Sequence, residues 1–292
     1  MALSIHTNYS ALTTNTALNK SNSALSTNQQ RLGTGLRINS AADDAAGLQI
    51  ATRLNAQSRG MGVAMRNVGD ATSMLQTAEG AFSEMTDIVQ RMKDLATQGA
   101  NGANGEQDLA ALQSEYDELG KELKNITDNT KYAGEKLFSG TDSKFSATGG
   151  VVFQIGASGA ETLKVDVAGK ITALATELGG LSAGYTSGAA GTEIVAADGT
   201  AATTNIDALS DALNSIGEIR AQFGSSINRL NHVNNNLANM KDNTEMAKGR
   251  IMDADFAIES ANMSKNSMLM QSGISMLKQA GQMPGMVMGL LG

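Results

Sequence analysis

Apolar residues recur every seven positions at both ends of the chain. Near the start they are Ala11, Leu18, Leu25 and Leu32, and near the finish Phe256, Met263, Met270 and Leu277. A seven-residue repeat marks a helix that lays one narrow stripe against another helix. The same spacing returns inside the chain at Val68, Leu75, Phe82 and Val89, and again from Leu209 through Ile216, Phe223 and Leu230 to Leu237. The stretch from Glu106 to Asp128 is the cleanest seam, with Leu109, Leu112, Tyr116, Leu119, Leu123 and Ile126 three and four apart. The single proline, Pro284, leaves the rest of the chain free to run long helices without kinks. At 1.5 Å per residue, the segment from Leu209 to Leu237 would cover roughly 40 Å.

Local signals divide these helices. Gly33-Thr34-Gly35 breaks the first one. Ser40 followed by Asp43 resembles a capping box with Asp in place of the usual Glu or Gln. Asp43 and Asp44 also suit the positive end of a new helix. A further stretch, Met61 to Gly99, stops at Gly99 beside an Asn-Gly-rich turn. From Lys131 the helical pattern lapses. Val151 to Ile155 and Thr162 to Val167 read as short strands around a Gly-containing turn. Thr176 to Thr204 reads as a small Gly-, Ala- and Thr-rich loop with one more strand at Glu193 to Ala196.

The predicted fold is mainly α with a small β region. It is an elongated, hairpin-like rod of long coiled-coil helices, with the termini paired at one end and a β-hairpin and loop tip at the other. Five segments follow: an inner helix at 1–40, body helices and hairpin at 41–175, a loop tip at 176–204, a returning helix at 205–252, and a second inner helix at 253–292 that pairs with the first.

Composition narrows the function. The first helix is flanked by Asn, Ser, Thr and Gln with almost no charge, whereas a solvated helix normally carries charge on its outer face. Its stripe is too narrow to fold alone, so the terminal segments are expected to order only on meeting partners. Ala11, Leu18, Leu25, Leu32, Phe256, Met263, Met270 and Leu277 are therefore the candidate assembly seam. The formal charge of −7 and estimated pI of 4.9 offer no basic patch for nucleic acid. Cysteine is absent, which removes disulfides, thiolate metal sites and Cys nucleophiles. His6 and His232 are isolated, and no HExxH, phosphate loop or nucleophile elbow occurs. The acidic pairs Asp43-Asp44 and Asp253/Asp255 read as helix-start charges, without the spacing of a calcium loop. No catalytic, cofactor or metal site is expected. The start lacks a secretory h-region, and the apolar tail is interrupted by Gln271, Lys278, Gln279, Gln282 and Pro284, so no membrane insertion is expected.

Several strings, in order, resemble the bacterial flagellins. They are RLGTGLRINSAADDAAGLQIA, LQTAEGAFSEM, QRMKDLATQ and TKYAGEKLFSG in the first half, and GRIMDADFAIESANMSK near the end. The resemblance covers about 1–167 and 205–292. It implies a secreted, extracellular subunit of the flagellar filament, with terminal helices forming an inner tube and a much reduced outer region. A hook–filament junction protein is the alternative it leaves open. It also implies partners: further copies of the chain, the flagellar export apparatus, a flagellin chaperone, and the filament cap and hook-junction proteins. Arg91, Leu95 and Glu115 match the flagellin surface read by a host innate receptor, toll-like receptor five.

Overall fold

The computed structural model describes residues 8–140, 143–147, 149–188, 190–195 and 200–291. The chain divides into two compact units: residues 1–58 with 242–292 make the first, and 59–241 the second. The helices are α1 (Tyr9–Thr34), α2 (Ala45–Gly99), α3 (Glu106–Asn129), α4 (Ala168–Leu181), α5 (Ala183–Thr186), α6 (Thr200–Met252) and α7 (Phe256–Leu291). Two small hairpins, β1 (Lys131–Tyr132) with β2 (Glu135–Lys136) and β3 (Val151–Gln154) with β4 (Thr162–Val165), complete it. The fold is mainly helical with a small β region, as the periodicity predicts.

In the first unit, α1 begins where the Asn8 side chain accepts from the Ala11 N–H at 3.0 Å. It ends at Gly35, whose φ of 71° is left-handed and whose N–H donates to the Arg31 carbonyl at 2.8 Å. The predicted box at Ser40 and Asp43 is a turn instead. The Asp43 carboxylate accepts from the backbone N–H groups of Ser40 (2.9 Å) and Asn39 (3.0 Å) and from the Ser40 hydroxyl (3.1 Å). Those backbone donors, Ser40 first, hold the Asp43 carboxyl below the usual aspartate range. The cap of α2 is the next residue: Asp44 accepts from the Gly47 N–H at 2.8 Å. Two neighbouring aspartates thus do different work, and the spacing alone does not tell them apart.

The new helix expected after Asp44 and the separate stretch expected from Met61 to Gly99 are one element, because α2 is a single 55-residue helix. Gly60 would weaken an isolated helix by about 1 kcal/mol. Here it admits the hairpin loop, since a Cβ on Gly60 would lie 2.9 Å from the Cβ of Ala157.

The core of the second unit gathers the rings that composition makes scarce. Phe82 of α2 lies 4.8 Å from Phe138 and 5.8 Å from Phe223 of α6, and Phe145 lies 5.1 Å from Phe223. All four are at least 95% buried. Burying a side chain of this size contributes roughly 1.5–3 kcal/mol, so a few rings anchor α2, α6 and the β segment together. The β3–β4 pair is antiparallel, with Val151 opposite Val165 and Phe153 opposite Leu163. The β1–β2 pair, which the pattern does not reveal, turns on Ala133 (φ 50°) and Gly134 (φ 88°), the backbone of a tight hairpin.

The stretch read as a loop at 176–204 needs correction. The domain boundary at 175 falls inside α4, and α6 begins at Thr200 rather than Asn205. Ile171, Leu174, Leu178 and Leu181 are three and four apart and buried. That burial outweighs the Gly179-Gly180 pair that suggested a loop. No strand forms across Glu193–Val195, and Ala196 lies outside the described residues. Instead the segment is tied to α3 by buried polar groups. Gln113 donates to Asp117 (2.9 Å) and to Glu193 (2.7 Å) and accepts from the Ile194 N–H (2.8 Å). The Tyr116 hydroxyl donates to the Leu181 carbonyl (3.0 Å) and accepts from Asn205 (2.7 Å).

Candidate assembly interface

Within the first unit, α1 packs along α7 in the opposite direction. The pairs of residues that meet fix this. The Asn8 amide donates to the Ala280 carbonyl at 2.7 Å, Leu18 packs over Gly273, and Arg31 pairs with Glu259 at 3.0 Å. Beyond α1, the Arg37 N–H donates to the Met252 carbonyl at 2.6 Å and the Ala254 N–H to the Gly35 carbonyl at 2.9 Å.

The structure places seven of the eight expected seam residues at this contact. Ala11, Leu18, Leu25 and Leu32 of α1, and Met263, Met270 and Leu277 of α7, are all half-buried. Phe256 is different, at 70% exposure. It is the first residue of α7, where the Asp255 side chain caps the helix by accepting from the Ala257 N–H (2.9 Å) and the Ile258 N–H (3.2 Å). It keeps the heptad spacing without reaching the seam.

The seam also contains small and polar residues that lie outside the apolar repeat. Thr14, Ser21 and Asn28 form the second row of α1, and Glu259, Asn266, Gly273 and Ala280 that of α7. Asn28 is 7% exposed and Glu259 also 7%. With its amide oriented to suit its neighbours, Asn28 donates to the Ala24 carbonyl (3.1 Å) and accepts from the Met263 N–H and the Asn266 amide (3.2 Å each). The three-and-four alternation of small polar residues between the leucines is the signal that finds them.

This pairing leaves much apolar surface uncovered. Ile258, Leu269 and Met276 are 48–59% exposed. Their spacing of eleven and seven puts them on one side of α7, beside the seam. Ile274 and Phe256 flank the other side of the seam, and Met268 is also exposed. A helix that is apolar on both sides of its seam has more to bury than one partner helix covers.

The receptor-like residues lie in the second unit. Arg91 donates to Glu115 through Nε (2.9 Å) and Nη2 (2.6 Å), and both side chains are about half exposed. Leu95, one turn along α2, is 1% exposed and belongs to the core. It lies on the same side of the helix as Arg91, four residues on, but packs into the core with Met92 and offers almost no surface of its own.

Residues 5–143 match the bacterial flagellin N-terminal helical region, and residues 192–291 match the C-terminal helical region. The chain is 36% identical to flagellin A of Vibrio anguillarum, in an alignment that covers all of both chains. The chain belongs to the bacterial flagellin family. It is 34% identical to polar flagellin B/D of Vibrio parahaemolyticus, again over all of both chains. Among solved structures it is similar to the flagellin of Bacillus cereus, with 31% identity, a TM-score of 0.47, and coverage of 59% of this chain and 88% of that one. It shares its fold with a protein of Vibrio parahaemolyticus assigned to the flagellar hook-associated proteins. There the identity is 16% and the TM-score 0.54, with 72% of this chain and 100% of that one covered. As a flagellin, the chain is a structural subunit of the flagellar filament, a self-polymer. Among the described residues, no helix is long and apolar enough to cross a membrane.

Proposed function

We propose that this flagellin polymerises through the α1–α7 pair, and that it works outside the cell as a mechanical element with no catalysis of its own. The supporting observation is the combination found on α7: a seam that is only half-buried, bordered by Ile258, Leu269 and Met276 in the open. Burying apolar surface contributes about 25 cal/mol per Å², and further copies of the same helix pair are the available cover in a self-polymer. The polar outer face of α1 suits close contact with other polar surfaces or water. The chain reaches the filament end through the flagellar export apparatus, with a chaperone covering α7 until then, and the filament cap and hook-junction proteins bound the polymer. The Arg91–Glu115 pair is the part of the receptor-like surface open to a host receptor.

Seeded polymerisation followed by sedimentation and electron microscopy tests the proposal. The full chain should form filaments, and a chain lacking residues 1–37 and 253–292 should stay soluble. Filaments from the shortened chain would place the interface elsewhere.

A further inference from the structure

A heptad repeat decides which faces of two helices meet, but it leaves open where along their length they meet. Leu18, Leu25 and Leu32 are equivalent to one another, and Met263 and Met270 are flexible enough to accept any of them. On the apolar residues alone, α1 could therefore sit one heptad up or down along α7.

The polar residues of the seam do not share this tolerance. In the observed register Asn28 meets the Met263 N–H and Asn266, and Arg31 meets Glu259. Slipped one heptad in one direction, Leu25 would replace Leu18 over Gly273, Asn28 would face Met270, and Glu259 would pass the end of α1. Slipped the other way, Leu18 would face Asn266 and Leu25 would face Glu259. Each slip leaves a buried amide or carboxylate without its partner, which costs far more than the apolar exchange. Arg31 is a sensitive partner because its Nε is already buried without a hydrogen bond. The pair also suits the helix ends it occupies, Arg31 in the last turn of α1 and Glu259 in the first turn of α7.

We infer that Asn28 and the Arg31–Glu259 pair set the register of the terminal helices, and that they do so at some expense in stability. The consequence for assembly, which rests on the function proposed above, is uniformity. With the register fixed, Ile258, Leu269 and Met276 stand at the same height against α1 in every copy, so every copy offers its neighbours the same surface.

The absence of cysteine makes the register directly readable. One chain carries Leu18→Cys with Gly273→Cys, which meet in the observed register. A second carries Leu25→Cys with Gly273→Cys, which meet only after a slip. Both are polymerised on seeds, oxidised, and resolved by denaturing electrophoresis and peptide mass mapping. In the natural background the first pair should close within one chain and the second should not. Adding Asn28→Leu and Glu259→Gln should raise the slipped cross-link about tenfold or more, as expected when a buried polar register device is removed. With Asn28 kept, Arg31→Glu combined with Glu259→Arg should hold the slipped product at the natural level, whereas either change alone should raise it. Equal cross-link ratios in the natural and Asn28→Leu/Glu259→Gln backgrounds would overturn the inference, as would failure of the first pair to close or closure only between chains. If the cysteine-free parent forms no filaments, the assembly proposal fails; the register inference then stands only if the soluble chain closes the first pair in preference to the second, and equal closure of the two overturns it.

Discussion

Arg91 and Leu95 sit one turn apart on α2 and divide its surface from its core. Arg91 pairs with Glu115 in the open, where ion pairs contribute about 0–1 kcal/mol. Leu95 is sealed in the second unit, where truncation to alanine costs roughly 2–5 kcal/mol. Urea unfolding followed by circular dichroism should therefore show Arg91→Ala close to the natural chain and Leu95→Ala shifted well below it. Any loss of receptor signalling in Leu95→Ala would report lost structure, and only Arg91 and Glu115 variants would probe contact. Tyr116 makes a prediction in pH. Burial pushes its phenol well above the ordinary value near 10, so the folded chain keeps a proton that the unfolded chain releases. Its contribution to stability is complete below about pH 10 and declines as the pH rises further. Tyr116→Phe should remove this alkaline decline. It should also cost about 1–3 kcal/mol at neutral pH, because Asn205 and the Leu181 carbonyl lose their partner. An unchanged alkaline limb in Tyr116→Phe would assign the decline to other groups.

The helices differ in what holds them. α3 and α4 bury a continuous face in the second unit, whereas α1 buries only Asn28 outright among its described residues. In dilute, unassembled chain, the amides of residues 15–32 should exchange within the fast limit, while those of residues 68–92 of α2 are protected by the phenylalanine core. Slow exchange across residues 15–32 would show a terminal helix stable before assembly. The same difference explains what the sequence could and could not disclose. The long helices are legible because Leu109 through Ile126 and Leu209 through Leu237 repeat cleanly, and the β3–β4 hairpin because its strands flank a Gly-containing turn. α4 is hidden by Gly179 and Gly180, which local propensity reads as loop and packing overrides. The β1–β2 hairpin is too short for any periodicity. At the seam, the apolar rows are evident in the sequence, but Asn28 and Glu259 are not. A polar residue inside a polar-flanked stripe looks like the flank until a partner is seen across from it. Phe256 shows the converse, with the right spacing but a helix start in place of a partner.

For the whole molecule, two compact units with different burial imply a division of labour. The second unit carries its own buried core. The first carries a half-buried seam and an open apolar border, which suits a segment completed by its neighbours. Substitutions on that border should therefore leave the unfolding of the second unit unchanged and act on the polymer alone. The most direct measurement is seeded growth of full-length chain carrying Leu269→Glu and Met276→Glu, followed by sedimentation and electron microscopy, with urea unfolding as the control for folding. This variant should keep the natural unfolding free energy, within about 0.5 kcal/mol, and grow no filaments. Normal filaments from it would contradict this, because the exposed face of α7 would then be dispensable for assembly.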